Sequence, residues 1–307
     1  MTQTTVEAAA ERIGLGMMRI DSLSASEIRA LYDGSRELGV TLFDHADVYG
    51  SEWHDCERRF GEAVQLSSSE REQITLQTKC GIRIDQPGLD FSAEHIVKQA
   101  EGSLKALGTD YLDILMLHRP DTLVEPDEVA RAFDSLESSG KVRSFGVSNH
   151  VGGQIDLLRS GVSQPIVANQ VQFGLGHATL VSQGLAANME NLPQSINRDG
   201  GLLEYSRLHD IRLQVWGPFQ QGFFGGPIFE HPELEELQTV LNRLAAEHEV
   251  TPTAIATAWI TRHPAGMQVI LGTTKVSRVA ESVTGARLRL TRSEWYELYQ
   301  AAGYVVP

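Results

Sequence analysis

Short β-rich runs alternate with amphipathic helical patterns almost to the C-terminus, and this alternation is the strongest constraint on the fold. Eight runs are predicted strands: Arg12–Met17, Val40–Phe43, Gln73–Thr78, Leu112–Leu117, Val142–Val147, Ile166–Val171, Ile211–Val215 and Gln268–Leu271. The clearest helical stretches between them are Ser24–Leu38, Ser92–Leu107, Pro126–Ser139 and Pro232–His248. Strands that alternate with helices predict a parallel α/β sheet, and eight strands are the number that closes a (β/α)8 TIM barrel. A doubly wound open sheet is the alternative that the pattern leaves open.

Several helix boundaries have their own signals. Thr251 followed by Pro252 predicts an N-cap and a proline at the first helical position. Gly108 and Gly140 each follow a helical stretch, and each can adopt the left-handed conformation that ends a helix.

The chain has 307 residues, and a barrel of this kind needs about 250. There is no Pro/Ser-rich linker and no low-complexity block, so residues 1–307 are expected to form one domain. One irregular segment, rich in Gly, Asn, Gln and Ser, runs from Gly174 to about Gly201 after the sixth strand. In a barrel it would lie at the C-terminal face, where substrates bind, so we expect a long substrate-side loop. A disordered insertion is the alternative.

Composition narrows the classes of partner. The formal net charge is −14 and the pI about 5.1, so nucleic acid and anionic membrane surfaces are poor candidates. The two cysteines, Cys56 and Cys80, are too few for a disulfide scaffold or a Cys-rich metal site. The first residues do not resemble a secretory signal, and no window approaches the roughly 18 apolar residues of a membrane span. A cytoplasmic enzyme acting on a small molecule is the expectation.

Three predicted strands end in residues that can carry out acid–base chemistry. The second strand runs into Asp44, and a polar turn presents Tyr49 five residues later. The third strand ends in Lys79 and the fourth in His118. Consecutive barrel strands place their C-terminal ends side by side, so these four side chains are expected to converge on one cavity. A buried Lys79 is costly unless an acid pairs with it, and Asp44 is the obvious partner.

This set of side chains suits the reduction of a carbonyl. A free phenol has a pKa of about 10, and a nearby ammonium lowers it, so Lys79 would make Tyr49 a better proton donor. Asp44 would hold Lys79 in place and keep it charged, while His118 could orient the substrate oxygen by a hydrogen bond. The four residues lack a source of electrons, and a nicotinamide that delivers hydride fits that need.

The chain resembles the aldo-keto reductases from Gly14-Leu15-Gly16-Met17 to Glu294, which is nearly its whole length. That family has an Asp, a Tyr five residues later, and a Lys and a His at the next two strand ends. The matching residues here are Asp44, Tyr49, Lys79 and His118. The resemblance implies a TIM barrel that reversibly reduces aldehydes or ketones to alcohols, with these four as catalytic residues.

The resemblance also assigns residues to the nicotinamide end of the cofactor. Ser148 and Asn149 match the pair that binds the carboxamide, and Gln170 matches the glutamine that bonds the same amide. Trp216 matches the aromatic residue that stacks on the ring, although without its neighbours a core aromatic at the end of strand seven would be the plainer interpretation. The further cofactor residues implied along this part of the site are Gly16, Met17, Gly217, Pro218, Phe219, Gln220 and Gly222.

The chain departs from the family after Trp216. The family usually has Ser and Leu where this chain has Gly217 and Phe219. Gly217 can still offer a backbone amide to the pyrophosphate, but the side-chain hydroxyl is lost. The course of the next loop around the cofactor is therefore left open.

The phosphate and adenine end follows strand eight. A turn of small residues leads into a helix whose N-terminal amides can hold a phosphate, and Lys275 and Arg278 add positive charge. Arg278 stands where the family grips the 2′-phosphate, which favours NADPH over NADH, although both cations could be ordinary solvated helix charge. The cofactor residues implied here are Gly272, Thr273, Thr274, Lys275, Arg278, Glu281 and Ser282; many members have Lys at Gly272 and Asn at Ser282.

Other residues give weaker signals. Met18 and Trp53 are candidate substrate contacts, although Trp53 could simply cover its loop. The nine histidines other than His118 show no metal-ligand spacing and are expected to be surface residues or to make single hydrogen bonds, so no metal is predicted. Cys80 follows Lys79, but adjacent strand residues point to opposite faces, so it is expected to pack beneath the helices rather than to act in redox chemistry.

Two other functions remain open from the sequence. The same fold could hold NADPH as a regulatory or sensing subunit with slow turnover, in the manner of potassium-channel β-subunits. Alternatively, Lys79 could form a Schiff base with a carbonyl substrate. The natural substrate and the oligomeric state cannot be deduced.

Overall fold

The computed structural model describes residues 9–223 and 225–307. Eight strands alternate with helices along this part of the chain, as the sequence predicted. The strands are β1 Ile13–Gly16, β2 Leu42–Asp44, β3 Thr75–Cys80, β4 Ile114–Leu117, β5 Phe145–Ser148, β6 Ile166–Gln172, β7 Arg212–Trp216 and β8 Gln268–Leu271.

The described residues also form twelve α-helices and two short 3-10 turns. The helices are α1 Ala25–Glu37, α2 Asp55–Val64, α3 Ser68–Arg71, α4 Ala93–Leu107, α5 Pro126–Ser138, α6 Gly152–Arg159, α7 Thr179–Leu185, α8 Leu202–Leu208, α9 Glu235–Glu247, α10 Pro252–Thr261, α11 Val276–Arg287 and α12 Arg292–Ala301. The 3-10 turns are Ile20–Ser22 and Pro193–Ser195.

The predicted helix boundaries follow from local chemistry. The hydroxyl of Thr251 accepts a hydrogen bond from the amide of Ala254 at 3.3 Å, and Pro252 begins α10. Gly108 and Gly140 have φ of 66° and 72°, the left-handed conformation predicted for the ends of α4 and α5.

The strands are parallel and follow one another in the order β1 to β8 in a closed barrel, which confirms the (β/α)8 fold and excludes the open sheet. Asp44 on β2 lies opposite Gln77 on β3, and Lys79 on β3 lies opposite Met116 on β4. Ser148 on β5 lies opposite Gln170 on β6. This register brings the polar ends of neighbouring strands to the same level.

The chain divides into two compact units. The N-terminal unit comprises residues 14–170 and 272–276, and it contains β2 to β5 with helices α1 to α6. The C-terminal unit comprises described residues up to 13 and then 171–271 and 277–307. It contains β7 and β8 and the helices α7 to α10 and α12.

Several sequence expectations need correction, since β3, β4 and β5 begin at Thr75, Ile114 and Phe145, two or three residues later than predicted. The second strand was predicted at Val40–Phe43, but β2 begins only at Leu42 and extends to Asp44. The segment from Gly174 to Gly201 is not a plain loop, because α7 and the Pro193–Ser195 turn lie within it. Hydrogen bonds also fix its position. The side-chain amide of Gln194 donates to the backbone oxygen of Val305 at 2.9 Å and accepts from the backbone amide of Val305 at 3.0 Å. Its relation to a substrate stays a prediction.

Within residues 9–223 and 225–307, every helix is too short or too polar to cross a membrane.

Candidate active site

Lys79 occupies the centre of a polar cluster in the N-terminal unit. Its side chain is 0% exposed, and its ammonium lies 2.7 Å from Asp44 Oδ2, 2.8 Å from the backbone oxygen of His45 and 3.1 Å from the hydroxyl of Tyr49. Burial disfavours the charged form, but the nearby Asp44 and Tyr49 outweigh it and raise the pKa of Lys79. Lys79 therefore remains an ammonium at neutral pH.

Asp44 is held by more groups than the sequence indicated. While Oδ2 accepts from Lys79, Oδ1 accepts from the side-chain amides of Gln77 at 2.6 Å and Gln170 at 3.0 Å. These contacts fix the orientation of a buried carboxylate. Gln77 was missed by the sequence analysis, although it stands two residues before Lys79 in β3 and so shares its face of the strand.

The environment of Tyr49 differs from the expectation. Burial raises the pKa of the phenol, Lys79 lowers it and Asp44 raises it, and the pKa ends above its ordinary value. The expected net lowering by Lys79 is therefore wrong for this structure, because desolvation exceeds the attraction to the ammonium. Tyr49 remains a neutral phenol at neutral pH, with its hydroxyl directed at Lys79.

His118 completes the predicted four at the end of β4. Its ring lies edge-on to that of Tyr49, with centroids 5.8 Å apart. Burial, followed by the nearby Lys79 and Arg119, lowers the pKa of His118 well below its ordinary value, so the imidazole is neutral. Its Nδ1 has no hydrogen-bond partner among residues 9–223 and 225–307. Arg119, a half-buried cation close to Tyr49, was not anticipated from the sequence.

The ends of β5 and β6 bring together the residues predicted to bind the nicotinamide amide. The hydroxyl of Ser148 donates to the backbone oxygen of Gln170 at 2.9 Å and accepts from the amide of Asn149 at 2.8 Å. Asn149 has a φ of 60° and also donates to the backbone oxygen of His118 at 3.4 Å. The cluster therefore presents hydroxyl and amide groups beside the four predicted catalytic residues.

The residues predicted at the end of β1 fall into two groups by exposure. Met17 is fully buried, and its backbone amide donates to the backbone oxygen of Asp44 at 2.8 Å, while Gly16 ends the strand. The Met18 side chain is 43% exposed.

Trp53, the other candidate substrate contact, is half-buried and lies against the rings of His54 and His95. Cofactor contacts of Gly16 and Met17 and substrate contacts of Met18 and Trp53 stay predictions.

Gly272 to Lys275 also belong to the N-terminal unit and lead into α11. Gly272 and Lys275 are exposed, and the hydroxyl of Thr273 accepts from the backbone amide of Lys275 at 3.1 Å. Thr274 is half-buried. A Cβ at Gly272 would meet no atom within 4 Å, so the turn has an open side. Such a turn before a helix suits a phosphate chemically.

The other predicted cofactor residues lie in the C-terminal unit, in two places. At the end of β7, half-buried Trp216 meets Phe223 edge-on at 6.1 Å, and the Gly217 backbone has a φ of 58°. Pro218 is buried, and the backbone amide of Gln220 donates to Gly217 at 3.1 Å. The remaining predicted residues of this loop are all half-buried: Phe219, Gln220 and Gly222.

On α11, Arg278 is exposed and Glu281 is half-buried, so a cofactor at the protein surface could reach both side chains. Ser282 is fully buried, and its hydroxyl donates to the backbone oxygen of Arg278 at 3.0 Å, within the helix. An adenine contact by the Ser282 side chain thus has little support from the geometry, because its donor is already bonded and faces away from solvent.

Histidines and cysteines agree only in part with the expectations. Nδ1 of His150 lies 2.9 Å from the backbone oxygen of Ser148, and this is the one hydrogen bond of the imidazole within the described residues. His45 is neither exposed nor bonded, since among residues 9–223 and 225–307 neither ring nitrogen has a partner. Cys80 is buried, and burial raises its pKa well above its ordinary value, which agrees with a packing role. No group of three metal-ligating side chains occurs within the described part of the chain.

With the fold and these contacts established, comparison with known proteins identifies the family. The sequence model of the Aldo/keto reductase family matches residues 12–302, so the chain belongs to that family. The chain is 34% identical over 293 residues to oxidoreductase YdhF of Escherichia coli (strain K12), covering 93% of this chain and 91% of that protein. It is 32% identical over 304 residues to 6-dehydroglucose reductase of Agrobacterium fabrum, covering 95% and 94%.

Solved structures agree at the level of the fold. An aldo-keto reductase from Klebsiella pneumoniae in complex with NADPH superposes with a TM-score of 0.72 at 22% identity, covering 94% of this chain and 89% of that chain. The thermostable aldo-keto reductase Tm1743, solved with the inhibitor epalrestat, gives a TM-score of 0.74 at 22% identity, with 94% of both chains covered.

Proposed function

We propose that this chain is an NADPH-dependent reductase that converts aldehydes or ketones to alcohols, reversibly. The observation that carries the proposal is the position of the Lys79 ammonium, 2.7 Å from Asp44 and 3.1 Å from the Tyr49 hydroxyl. A phenol beside a buried, paired ammonium is an arrangement that donates a proton to a developing alkoxide. Membership of the family and the oxidoreductase relatives support the same class of reaction.

Tyr49 is the proposed proton donor. Its pKa is raised, so it holds its proton at neutral pH, and Lys79 stabilises the phenolate that forms when the proton leaves. The pair with Asp44 keeps Lys79 charged and in place. Donor and stabilising charge are therefore positioned before the substrate arrives, and this preorganisation supplies much of the rate gain.

His118 is the proposed orienting group for the carbonyl. A neutral imidazole can donate one hydrogen bond without placing a full charge next to the Lys79 ammonium. Because its ring lies beside that of Tyr49, the two side chains are close enough to bind one oxygen atom of a substrate.

Ser148, Asn149 and Gln170 are the residues proposed to hold the nicotinamide amide. A carboxamide has two donors and an acceptor, which the side-chain amides of Asn149 and Gln170 complement. The Ser148 hydroxyl, which is bonded to both of these residues, would hold them in place. When bound, the nicotinamide supplies the hydride that the protein's own side chains cannot.

The same charge on Lys79 argues against a Schiff base. A lysine must lose its proton before the amine can attack a carbonyl. Here the raised pKa and complete burial keep the side chain protonated and enclosed.

Tyr49→Phe tests the proposed function. We expect turnover with a panel of aldehydes and ketones to fall by at least about 10²-fold, because the proton donor is lost, while the dissociation constant for NADPH stays within about twofold. Tyr111→Phe is the matched control, since its hydroxyl donates in a long contact of 3.5 Å to the backbone oxygen of Arg71. If the unaltered protein binds NADPH but turns over none of the panel, the regulatory or sensing alternative is the better description.

Arg278→Ala tests the cofactor preference. Loss of a contact to the 2′-phosphate should raise the NADPH dissociation constant by about tenfold or more and change the NADH constant much less. Arg287→Ala, an exposed cation in the last turn of the same helix, controls for loss of charge alone. Equal changes for the two cofactors on Arg278→Ala would refute the 2′-phosphate assignment.

A further inference from the structure

Another buried carboxylate lies in the N-terminal unit, outside the proposed catalytic set. Glu57, in the first turn of α2, is 0% exposed. One of its oxygens accepts from the hydroxyl of Thr78 at 2.5 Å, and the other lies 2.6 Å from Nδ1 of His54. Both partners of Glu57 are connected to residues that hold the proposed proton donor.

Thr78 connects Glu57 to the strand that carries Lys79. The two residues are adjacent in β3, and adjacent strand residues point to opposite faces. Lys79 faces Tyr49 on one side of the strand, while Thr78 faces Glu57 on the other. A displacement of the strand relative to Glu57 would therefore displace Lys79.

His54 connects Glu57 to the turn that carries Tyr49. The backbone amide of His54 donates to the backbone oxygen of Asp47 at 2.6 Å, and the amide of Cys56 donates to the backbone oxygen of Tyr49 at 3.0 Å. The turn is also bonded to β3, because the amide of Asp47 donates to the backbone oxygen of Lys79 at 3.0 Å.

The arrangement around Glu57 is energetically demanding. A buried carboxylate is unfavourable unless it is fully bonded. His54 has a φ of 62°, a left-handed conformation unusual for a residue with a side chain, and this kind of strain is common at functional sites. Gly102 leaves room for the imidazole, since a Cβ there would lie 2.3 Å from Nε2. Helix α4 is thus shaped to let His54 reach Glu57.

We propose that Glu57 is a positioning residue, which fixes the Tyr49 turn to the Lys79 strand through His54 and Thr78 and so holds the phenol at the ammonium. The inference rests on the proposed function for its catalytic consequence, but its structural consequence, the geometry of the Tyr49–Lys79 pair, can be measured separately. Neither Glu57 nor its two partners contacts the reacting atoms in this assignment.

The charged and titratable groups around Glu57 and Tyr49 determine what a titration of Tyr49 would report. Cys80 and Asp47 face Glu57 in addition to His54. The groups that face Tyr49 are Lys79, Asp44, Cys56, His118 and Arg119. The two sets share no residue, but Asp47 also faces Lys79, so a change at Glu57 can reach the phenol through the backbone and the strand, through Asp47 or through long-range charge.

Glu57→Gln and Thr78→Val break the two ends of this connection separately. Gln has only one acceptor oxygen, so Glu57→Gln cannot accept from both His54 and Thr78, whereas Val keeps the shape of Thr but has no hydroxyl to donate. We expect each variant to lower kcat by about tenfold to a hundredfold, because a small misplacement of the reacting groups is sufficient, while the NADPH dissociation constant stays within about twofold.

Two matched variants control for loss of stability. Glu294→Gln removes a Glu–His pair of the same length, because Glu294 lies 2.6 Å from Nε2 of His248. Thr257→Val removes a fully buried hydroxyl that donates to the backbone of Thr253 at 2.9 Å. Neither residue has a proposed part in cofactor or substrate binding, so kcat per folded molecule should be unchanged in both.

The second measurement does not need turnover. The pKa of Tyr49 can be followed by NMR titration of its ring carbons, assigned by comparison with Tyr49→Phe. A phenol that drifts from Lys79 loses stabilisation of its phenolate, so its pKa should rise by roughly half a unit or more in both variants. A charge effect alone would shift it in Glu57→Gln and not in Thr78→Val, which has no change of charge, and that result would overturn the proposal.

The remaining outcomes separate the two proposals. If the unaltered protein has no turnover but the Tyr49 pKa rises in both variants, the positioning role stands and the reductase assignment does not. If the unaltered protein reduces carbonyls while both variants keep its kcat and its Tyr49 pKa, the positioning role is refuted. If a variant fails to fold, the other one still decides the question by the same two measurements.

Discussion

Lys79 in the N-terminal unit and Trp259 in the C-terminal unit are equally inaccessible to solvent, but burial has opposite consequences for them. Lys79 is 0% exposed and is surrounded by a carboxylate, a phenol and a backbone oxygen. Trp259 is also 0% exposed and stacks on Trp295 with ring centroids 4.8 Å apart. Each indole N–H donates to the backbone oxygen of the other residue at 3.0 Å.

The difference shows that the free energy of folding favours a buried aromatic pair and disfavours a buried cation. Burial of an aromatic ring is stabilising by itself, and the reciprocal bonds of Trp259 and Trp295 satisfy their only polar atoms. Burial of Lys79 is unfavourable and is tolerated only because Asp44 pairs with it. A polar interior of that kind is kept for its chemistry, whereas the tryptophan pair is explained by stability alone.

Lys79→Met should have the largest effect and separate chemistry from folding. We expect kcat to fall by at least about 10³-fold, because the stabilised phenolate is lost. The free energy of unfolding should fall by about 3–5 kcal/mol, since Asp44 is left buried without a cation. Steady-state kinetics and urea unfolding measure the two effects.

Adding Asp44→Asn to Lys79→Met should recover much of the stability and none of the turnover. Replacement of a buried ion pair by neutral groups is often close to neutral for stability. If the double variant were as unstable as Lys79→Met, the Lys79–Asp44 pair would stabilise the fold by itself, contrary to its assignment as a pair that is kept for chemistry.

Trp259→Ala should produce the reverse pattern. Removing a fully buried tryptophan leaves a cavity and should lower the free energy of unfolding by about 3–5 kcal/mol. At a temperature where the variant is folded, kcat per folded molecule should remain unchanged. Trp259→Phe, which keeps a stacked ring but loses the bond to Trp295, should cost only about 1–2 kcal/mol beyond its lost volume. A large fall in kcat for either variant would contradict the division of roles.

Sequence patterns predicted three of the proposed catalytic residues because their positions depend on topology alone. Once eight alternating strands indicated a barrel, Asp44, Lys79 and His118 had to lie at neighbouring strand ends. Gln77 and Glu57 were missed for different reasons. Gln77 could have been found from the two-residue period of β3, but the approach of Glu57 to Thr78, 21 positions away, depends on how α2 packs.

Effects that depend on side-chain packing could not be predicted from the sequence. The sign of the Tyr49 pKa shift is set by desolvation, which cannot be known before neighbours are placed. Trp259 and Trp295 are separated by 36 positions, and no local pattern indicates that they pair. The start of β2 at Leu42 rather than Val40 is likewise decided by pairing with β1, not by β propensity.

His45 should make the N-terminal unit sensitive to acid. Burial, then the nearby Lys79, lowers the pKa of His45 to about 3, whereas in the unfolded chain it is about 6.5. The unfolded state therefore binds more protons between these values, so stability is lost as the pH falls below about 6.5. At pH 5 the contribution of this one histidine is about 2 kcal/mol.

His45→Leu should reduce this acid sensitivity. Between pH 7 and pH 5, the variant's free energy of unfolding, measured by urea titration, should fall by about 2 kcal/mol less than that of the unaltered protein. His248→Leu controls for the loss of a histidine that is not fully buried, because His248 is half-buried and paired with Glu294. Parallel pH dependence of His45→Leu and the unaltered protein would show that this imidazole is not desolvated as the structure indicates.

Helix N-caps should have the smallest effect, and the same effect in both units. Ser92 is the N-cap of α4 in the N-terminal unit and Thr251 is the N-cap of α10 in the C-terminal unit, and each hydroxyl accepts from a backbone amide at 3.3 Å. Ser92→Ala and Thr251→Ala should each lower the free energy of unfolding by about 1 kcal/mol, with kcat unchanged. A cap satisfies one backbone donor whatever lies in the interior. If the two losses differed several-fold, local structure as well as buried side chains would distinguish the units.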